Sequence, residues 1–188
     1  MSNAIVPGSL SAISQQTGAS LAESFLLAST ILLLDCSGSM ETSDAPGSIT
    51  RKKAAQDALI RLQKDNAGKL ALVCFAQYAV FSPTGLPVEC GGSTNMAGAL
   101  KYVQPADDTG TRFILVSDGS PNSEQETLKI ATEFKTPIQT VYIGPELDYE
   151  GGRAFLEKLA KATGGKAVKS DAPGLLGDPV EKLLLSKG

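Results

Sequence analysis

Histidine is absent from this 188-residue chain. That absence removes Ser-His-Asp and Cys-His activation of a nucleophile, and every histidine-ligated zinc or iron site with them. Cysteine is scarce: Cys36, Cys74 and Cys90 make neither an even disulfide framework nor a C-x-x-C pair, which argues against a thiolate metal centre. Cys36 and Cys74 sit in or beside apolar runs, where cysteine packs as a small hydrophobe. Positive charge is missing from the whole segment before Arg51. A secretory signal needs a basic start, so the expectation is a reduced, cytoplasmic protein. The apolar run from Phe25 to Leu34 is too short to span a bilayer and is interrupted by Ser29 and Thr30. Neither G-x-x-x-x-G-K-[ST] nor G-x-G-x-x-G occurs, so a nucleotide-phosphate cradle lacks its glycines. A net charge of −3 offers no basic face for nucleic acid.

What is present is ordinary for a globular domain: 42% apolar and 20% charged residues, in a chain long enough for a sizeable core. Residues 1–28 read as a flexible or docked arm, rich in Ser, Gly, Gln and Ala, with a short helix at 21–28. From residue 29 to 188 strand and helix signals alternate as one domain. Strands are expected at 30–35, 69–76, 79–82, 111–119 and 137–144, with a last short one at "KAVKS". Helices are expected at 50–64, capped by Ser48 or Thr50, and at 94–103. Others follow at 123–134, opened by a Ser123/Glu126 capping box, and at 152–165. A terminal helix over 173–185 is broken or kinked near Pro179. This alternation predicts an α/β fold with a doubly wound, mostly parallel sheet, helices on both faces, and one short antiparallel strand from the 79–82 hairpin. Sheets of this kind present ligands at the carboxyl ends of their strands, where the chain order reverses.

Two such strand ends carry unusual polar residues. "LLLDCSGSME" breaks a run of leucines with Asp35 and then sets Ser37 and Ser39 two apart; "ILVSDGSPN" ends a second strand at Asp118. Alternate residues leaving a strand point the same way, so three oxygens can converge from five residues. The segment around them holds only acidic charge (Glu23, Asp35, Glu41, Asp44), a field that suits a cation better than a phosphate. "GGSTNMAGAL" adds Thr94 on a glycine-rich loop at a helix start, with Ser93 beside it as the alternative hydroxyl. Taken singly each residue has a plainer role: a turn carboxylate, local turn hydroxyls, a helix N-cap at Thr94, an Asp-Gly turn. Five of them at three strand ends favour a hard divalent ion held by oxygen.

Asp35-x-Ser37-x-Ser39, Thr94 in its glycine loop and Asp118 in "VSDGSPN" together resemble the metal-ion-dependent adhesion site of von Willebrand factor A domains, over about residues 29–170. The resemblance implies a Rossmann-like fold. It implies that Ser37, Ser39 and Thr94 contact Mg²⁺ (or Mn²⁺ or Ca²⁺), while Asp35 and Asp118 hold it directly or through water. It also implies a non-enzymatic module whose protein partner presents a Glu or Asp to the ion. Residues 41–49, 120–122 and 145–151 would form the rim. A metal-dependent phosphatase or phosphotransferase is the competing class, but the position two beyond its strand-end Asp should be acidic and here is Ser37. A structural domain with a vestigial site is the third reading. Lys52 and Lys53 read as a solvated helix end.

Overall fold

The computed structural model describes residues 4–107, 110–148, 151–172 and 175–185. Its centre is a six-stranded sheet in the order β3-β2-β1-β4-β5-β6. The strands are β1 (Thr30–Asp35), β2 (Leu70–Phe75), β3 (Ala79–Phe81), β4 (Arg112–Ser117), β5 (Ile138–Tyr142) and β6 (Ala167–Lys169). All pair in parallel except β3, which runs antiparallel to β2 at one edge. The expected doubly wound α/β fold, with its antiparallel edge strand, is what forms. The apolar runs explain why: β1 and β2 are buried at every position, as a parallel strand covered on both faces must be.

Alternation along the strands divides the core in two. Ile31, Leu33, Val73, Phe113 and Leu115 meet helices α4 (Met96–Val103), α5 (Glu124–Ala131) and α6 (Gly152–Thr163) on one face. Leu32, Leu34, Leu72, Ile114 and Val116 meet α3 (Arg51–Asp65) and α7 (Gly177–Leu185) on the other. The helix stripes expected from spacing do this work. Ala55, Ala58, Leu59 and Leu62 of α3 are buried, as are Met96, Leu100 and Val103 of α4.

Residues before β1 form α1 (Leu10–Thr17) and α2 (Leu21–Leu27). They are tied to the domain by backbone bonds from Val6 N to Thr84 O, from Ser11 N to Pro83 O and from Gly68 N to Gly8 O. Val6 and Leu10 are buried there. Among the described residues no helix is long and apolar enough to cross a membrane.

Helix ends depart from expectation in three places. At α5 only half of the capping box forms: Ser123 Oγ accepts from Glu126 N, while the Glu126 carboxylate turns to Lys101 at 2.9 Å. The full box belongs to Ser20 and Glu23 at α2. Pro179 is the third residue of α7, in the first turn, where its missing N–H has no intrahelical partner to lose, so it starts that helix rather than breaking it. Residues 173 and 174, where the terminal helix was expected to begin, lie outside the described residues.

Candidate metal centre

Strand order sets the site. β1 pairs with β2 on one side and β4 on the other, so the chain reverses direction across the sheet between β1 and β4. The register Leu34↔Val116 brings the last residue of β1, Asp35, beside Ser117 at the end of β4. The two carboxylate-bearing strand ends therefore share one crevice.

Asp35 lies at its floor, fully buried. One oxygen accepts from Ser37 N at 2.8 Å and the other from Ser117 Oγ at 2.6 Å. Burial pushes its carboxyl up from 3.8 to about 6, against the pull of those hydrogen bonds. A buried carboxylate with both oxygens engaged yet still resisting ionisation is one that a nearby cation would relieve. Ser37 is buried above it, and its Oγ lies 3.1 Å from Ser39 Oγ at the mouth, where a 3₁₀ turn (Gly38–Glu41) carries the chain away. Ser39 Oγ donates to Asp118 Oδ1 at 2.7 Å, joining the β1 and β4 loops.

The glycine loop closes the third side. Thr94 N donates to Asn122 Oδ1 at 3.0 Å and Asn122 N returns a bond to Thr94 O at 2.9 Å. Gly91, at φ +95°, sits where a Cβ would fall 2.6 Å from the Gln77 Cβ, so only glycine fits the approach. The plainer role weighed for Thr94, capping α4, falls to Asn95, whose Oδ1 accepts from Gly98 N at 2.9 Å. The Thr94 hydroxyl makes no hydrogen bond with any described residue. Ser93, next to it, is exposed.

The donor chemistry suits a small hard cation. Ser37 Oγ, Ser39 Oγ and Asp118 Oδ1 are consecutive neighbours at 3.1 and 2.7 Å. Adjacent ligands of an octahedron with bonds of about 2.0–2.1 Å stand about 2.9 Å apart. Among the described residues no group of three or more His, Cys, Asp or Glu could hold a metal, so any ion here must rely on hydroxyls.

Sequence reasoning missed Arg51, the first residue of α3. Its Nη1 donates to Asp118 Oδ2 at 2.7 Å, while Nε and Nη2 fork onto Asp44 at 2.8 and 2.5 Å. The loop 42–49 folds back through the Ala45–Ile49 bridge and a bond from Arg51 N to Thr42 O, which brings Asp44 to the guanidinium. The pair holds the Asp44 carboxyl below its usual range and raises Arg51 further. An arginine at a helix start, just after a segment bearing only acidic charge, was the available signal. Lys52, read as solvated, pairs with Glu41 at 2.7 Å.

Ser39, Thr42, Arg51, Asp118, Tyr142, Pro145, Leu147 and Asp148 line a cleft of about 260 Å³. Of the residues expected at the rim, Thr42, Pro145, Leu147 and Asp148 line this cleft; Tyr149 and Glu150 lie outside the described residues. Burial and the charge of Asp148 push the Tyr142 hydroxyl up to about 12, so it stays a neutral donor, bonded to Pro145 O at 3.2 Å. Cys36, Cys74 and Cys90 meet behind the site in the α3-side core, all buried. Contact with the other two sulfurs, together with burial, pushes the Cys36 thiol up, which favours packing over reactivity.

No family model matches the sequence, and no curated protein matches it. Solved structures do. An aerotolerance-related membrane protein from Bacteroides fragilis is 14% identical, with 82% of this chain and 97% of that one covered and a TM-score of 0.58. The manganese-loaded TRAP protein of Plasmodium vivax is 18% identical, with coverages of 85% and 72% and a TM-score of 0.58. The SpRpn10 VWA domain is 18% identical, with coverages of 83% and 95% and a TM-score of 0.52. Likeness at such identities is likeness of fold, and the fold is the Rossmann-like one of a von Willebrand factor A domain.

Proposed function

We propose that the chain is a divalent-cation-dependent protein-binding module. Ser37, Ser39 and Thr94 supply hydroxyl ligands, and Asp35 and Asp118 hold the ion directly or through ordered water. A Glu or Asp of a protein partner completes the set. The observation that carries this reading is the run of oxygens Ser37 Oγ, Ser39 Oγ and Asp118 Oδ1 at 3.1 and 2.7 Å, at the mouth of the crevice between β1 and β4. A bound cation supplies a Lewis-acidic anchor for an incoming carboxylate. The chain's own contribution is to fix the hydroxyls and to keep direct carboxylate ligation low, which leaves the ion positive enough to take one more. Asp35 orients Ser37 through its backbone N–H, Ser39 ties the two loops, and Asn122 fixes the height of the Thr94 loop.

Mg²⁺ is the ion this donor set suits, with Mn²⁺ the first alternative to try, given the manganese-loaded Plasmodium structure. Capture of partners from the native host in Mg²⁺, followed by elution with EDTA, tests the reading. A partner retained equally well by chelated protein would sink it.

Thr94→Ala gives a narrower test. Because its hydroxyl bonds to no described residue, the variant should melt within a degree or two of the wild type in chelator. It should bind Mg²⁺ about tenfold more weakly by calorimetry, about 1.4 kcal/mol for one lost ligand. Undiminished Mg²⁺ binding would move the ligand role away from Thr94, with Ser93 next in line.

A further inference from the structure

Among the described residues lining the cleft, Arg51 is the only cation, and the proposed metal reading makes no use of it. It is not a loose surface charge. Its side chain is 8% exposed and the Asp118 side chain it touches is 0% exposed, so the charge is held in a fixed place. Asp118 is thereby divided: Oδ1 serves Ser39, and Oδ2 is taken by the guanidinium. A divalent ion seated on Ser39 and Asp118 would share that carboxylate with a fixed positive charge.

We infer that Arg51 is a resident counter-cation that lowers the divalent-ion affinity of this site and couples ion retention to the arrival of an acidic partner. The inference rests on the proposed cation site and concerns its regulation. Asp44 is the other half of the device. It takes two donors of the guanidinium fork and, being 34% exposed, balances part of the Arg51 charge from the solvent side. Without an ion, Arg51 keeps Asp118 neutralised and in place. With one, the two cations stand on opposite oxygens of one carboxylate, and their repulsion is eased when a partner's Glu or Asp brings in a further negative charge. Ion and partner then strengthen each other's binding reciprocally.

The experiment compares wild type and Arg51→Gln by Mg²⁺ calorimetry and by melting in chelator. Gln removes the charge and sets an amide where Nε stands, facing Asp44, so it frees Asp118 Oδ2 of the guanidinium. The expected result is Mg²⁺ binding about tenfold tighter or more in the variant, the scale of a unit charge acting on a divalent ion a few ångströms away in a wet cleft. Its melting temperature should fall in chelator and recover more steeply with Mg²⁺ than that of the wild type. Equal or weaker Mg²⁺ binding by Arg51→Gln overturns the inference while wild-type binding leaves the cation site standing. Binding by the variant alone supports the inference and shows Arg51 standing in for the ion in the native protein. Binding by neither overturns both. Should Arg51→Gln fail to fold with or without Mg²⁺, Asp44→Asn decides, because it alters only a partly exposed loop residue. Releasing the Arg51 charge onto Asp118 should weaken Mg²⁺ binding several-fold, and an unchanged or tighter constant overturns the proposal.

Discussion

Asp35→Asn should melt higher than the wild type in chelator at pH 7.5 and should lose its response to Mg²⁺. The first half follows from burial. A carboxyl moved from 3.8 to about 6 carries about 3 kcal/mol of disfavoured ionisation at neutral pH, at about 1.4 kcal/mol per pH unit. The sign is fixed by direction. The folded state holds the proton more tightly than the unfolded chain, so the penalty is absent below pH 3.8, grows as pH rises, and is complete above about 6. An amide escapes it and finds the same partners. Its oxygen can accept from Ser37 N, and its NH₂ can donate to Ser117 Oγ, which already lies 3.2 Å from Gly119 O and can turn its proton there. The gain should therefore be about 2–3 kcal/mol, or roughly 4–12 °C in Tm for a domain of this size. The difference between the two proteins should shrink steadily between pH 6 and pH 4. Mg²⁺ should reverse the order, because the ion stabilises only the protein that can hold it. A variant that melts below the wild type in chelator would show that the Asp35 charge is already compensated without an ion.

This trade of stability for a charged floor also explains which parts of the site could be read from sequence. Asp35 and Asp118 were legible because each closes a strand built on an apolar run, and a parallel sheet leaves polar strand ends little choice but one edge. Their sharing of a crevice needed one further fact, that β1 and β4 are neighbours, and the register supplies it. Arg51 was not legible, because its role depends on reach: a helix-start side chain crosses to two carboxylates, 7 and 67 residues away in sequence. The cap of α4 was left open for a related reason. Thr94 and Asn95 are both good caps by type, and only the bonds from Asn95 to Ala76 O and Gln77 O show which of them the loop commits. Asn95 as cap leaves the Thr94 hydroxyl free for other work. The meeting of Cys90 with Cys36 and Cys74 was likewise hidden, since Cys90 reaches them through a loop held by Gln77 N and Tyr78 N on its carbonyl. The fold's periodic parts follow from local pattern; its charged contacts follow from loops whose paths no short window contains.

The position of Asp118 depends on one such packing contact, and Gly152→Ala should expose it. Gly152 opens α6 against the turn that follows Asp118. A Cβ there would stand 2.6 Å from the Gly119 carbonyl carbon, 2.8 Å from its Cα and 3.0 Å from its oxygen. Those atoms are backbone and cannot rotate away. Nor can α6 easily retreat: the Asp148 carboxylate accepts from Gly152 N and Arg153 N, and Phe155, Leu156 and Leu159 are buried in the core. From the other side, a Cβ on Gly144 would fall 2.7 Å from Asp118 O, so the turn is gripped between two glycines. One methyl must therefore shift the Asp118–Gly119 turn, stretching the 2.7 Å bonds from Ser39 and Arg51 together. Overpacking of this kind costs about 1–3 kcal/mol. Mg²⁺ affinity should fall by tenfold or more as well, because the two loops proposed to carry the ligands lose their register. Gly119→Ala is the matched control: a Cβ on that side of the contact meets nothing within 4 Å. The control should keep its melting temperature and its Mg²⁺ isotherm while Gly152→Ala loses both. Identical behaviour of the two variants would show that α6 does not set where Asp118 stands.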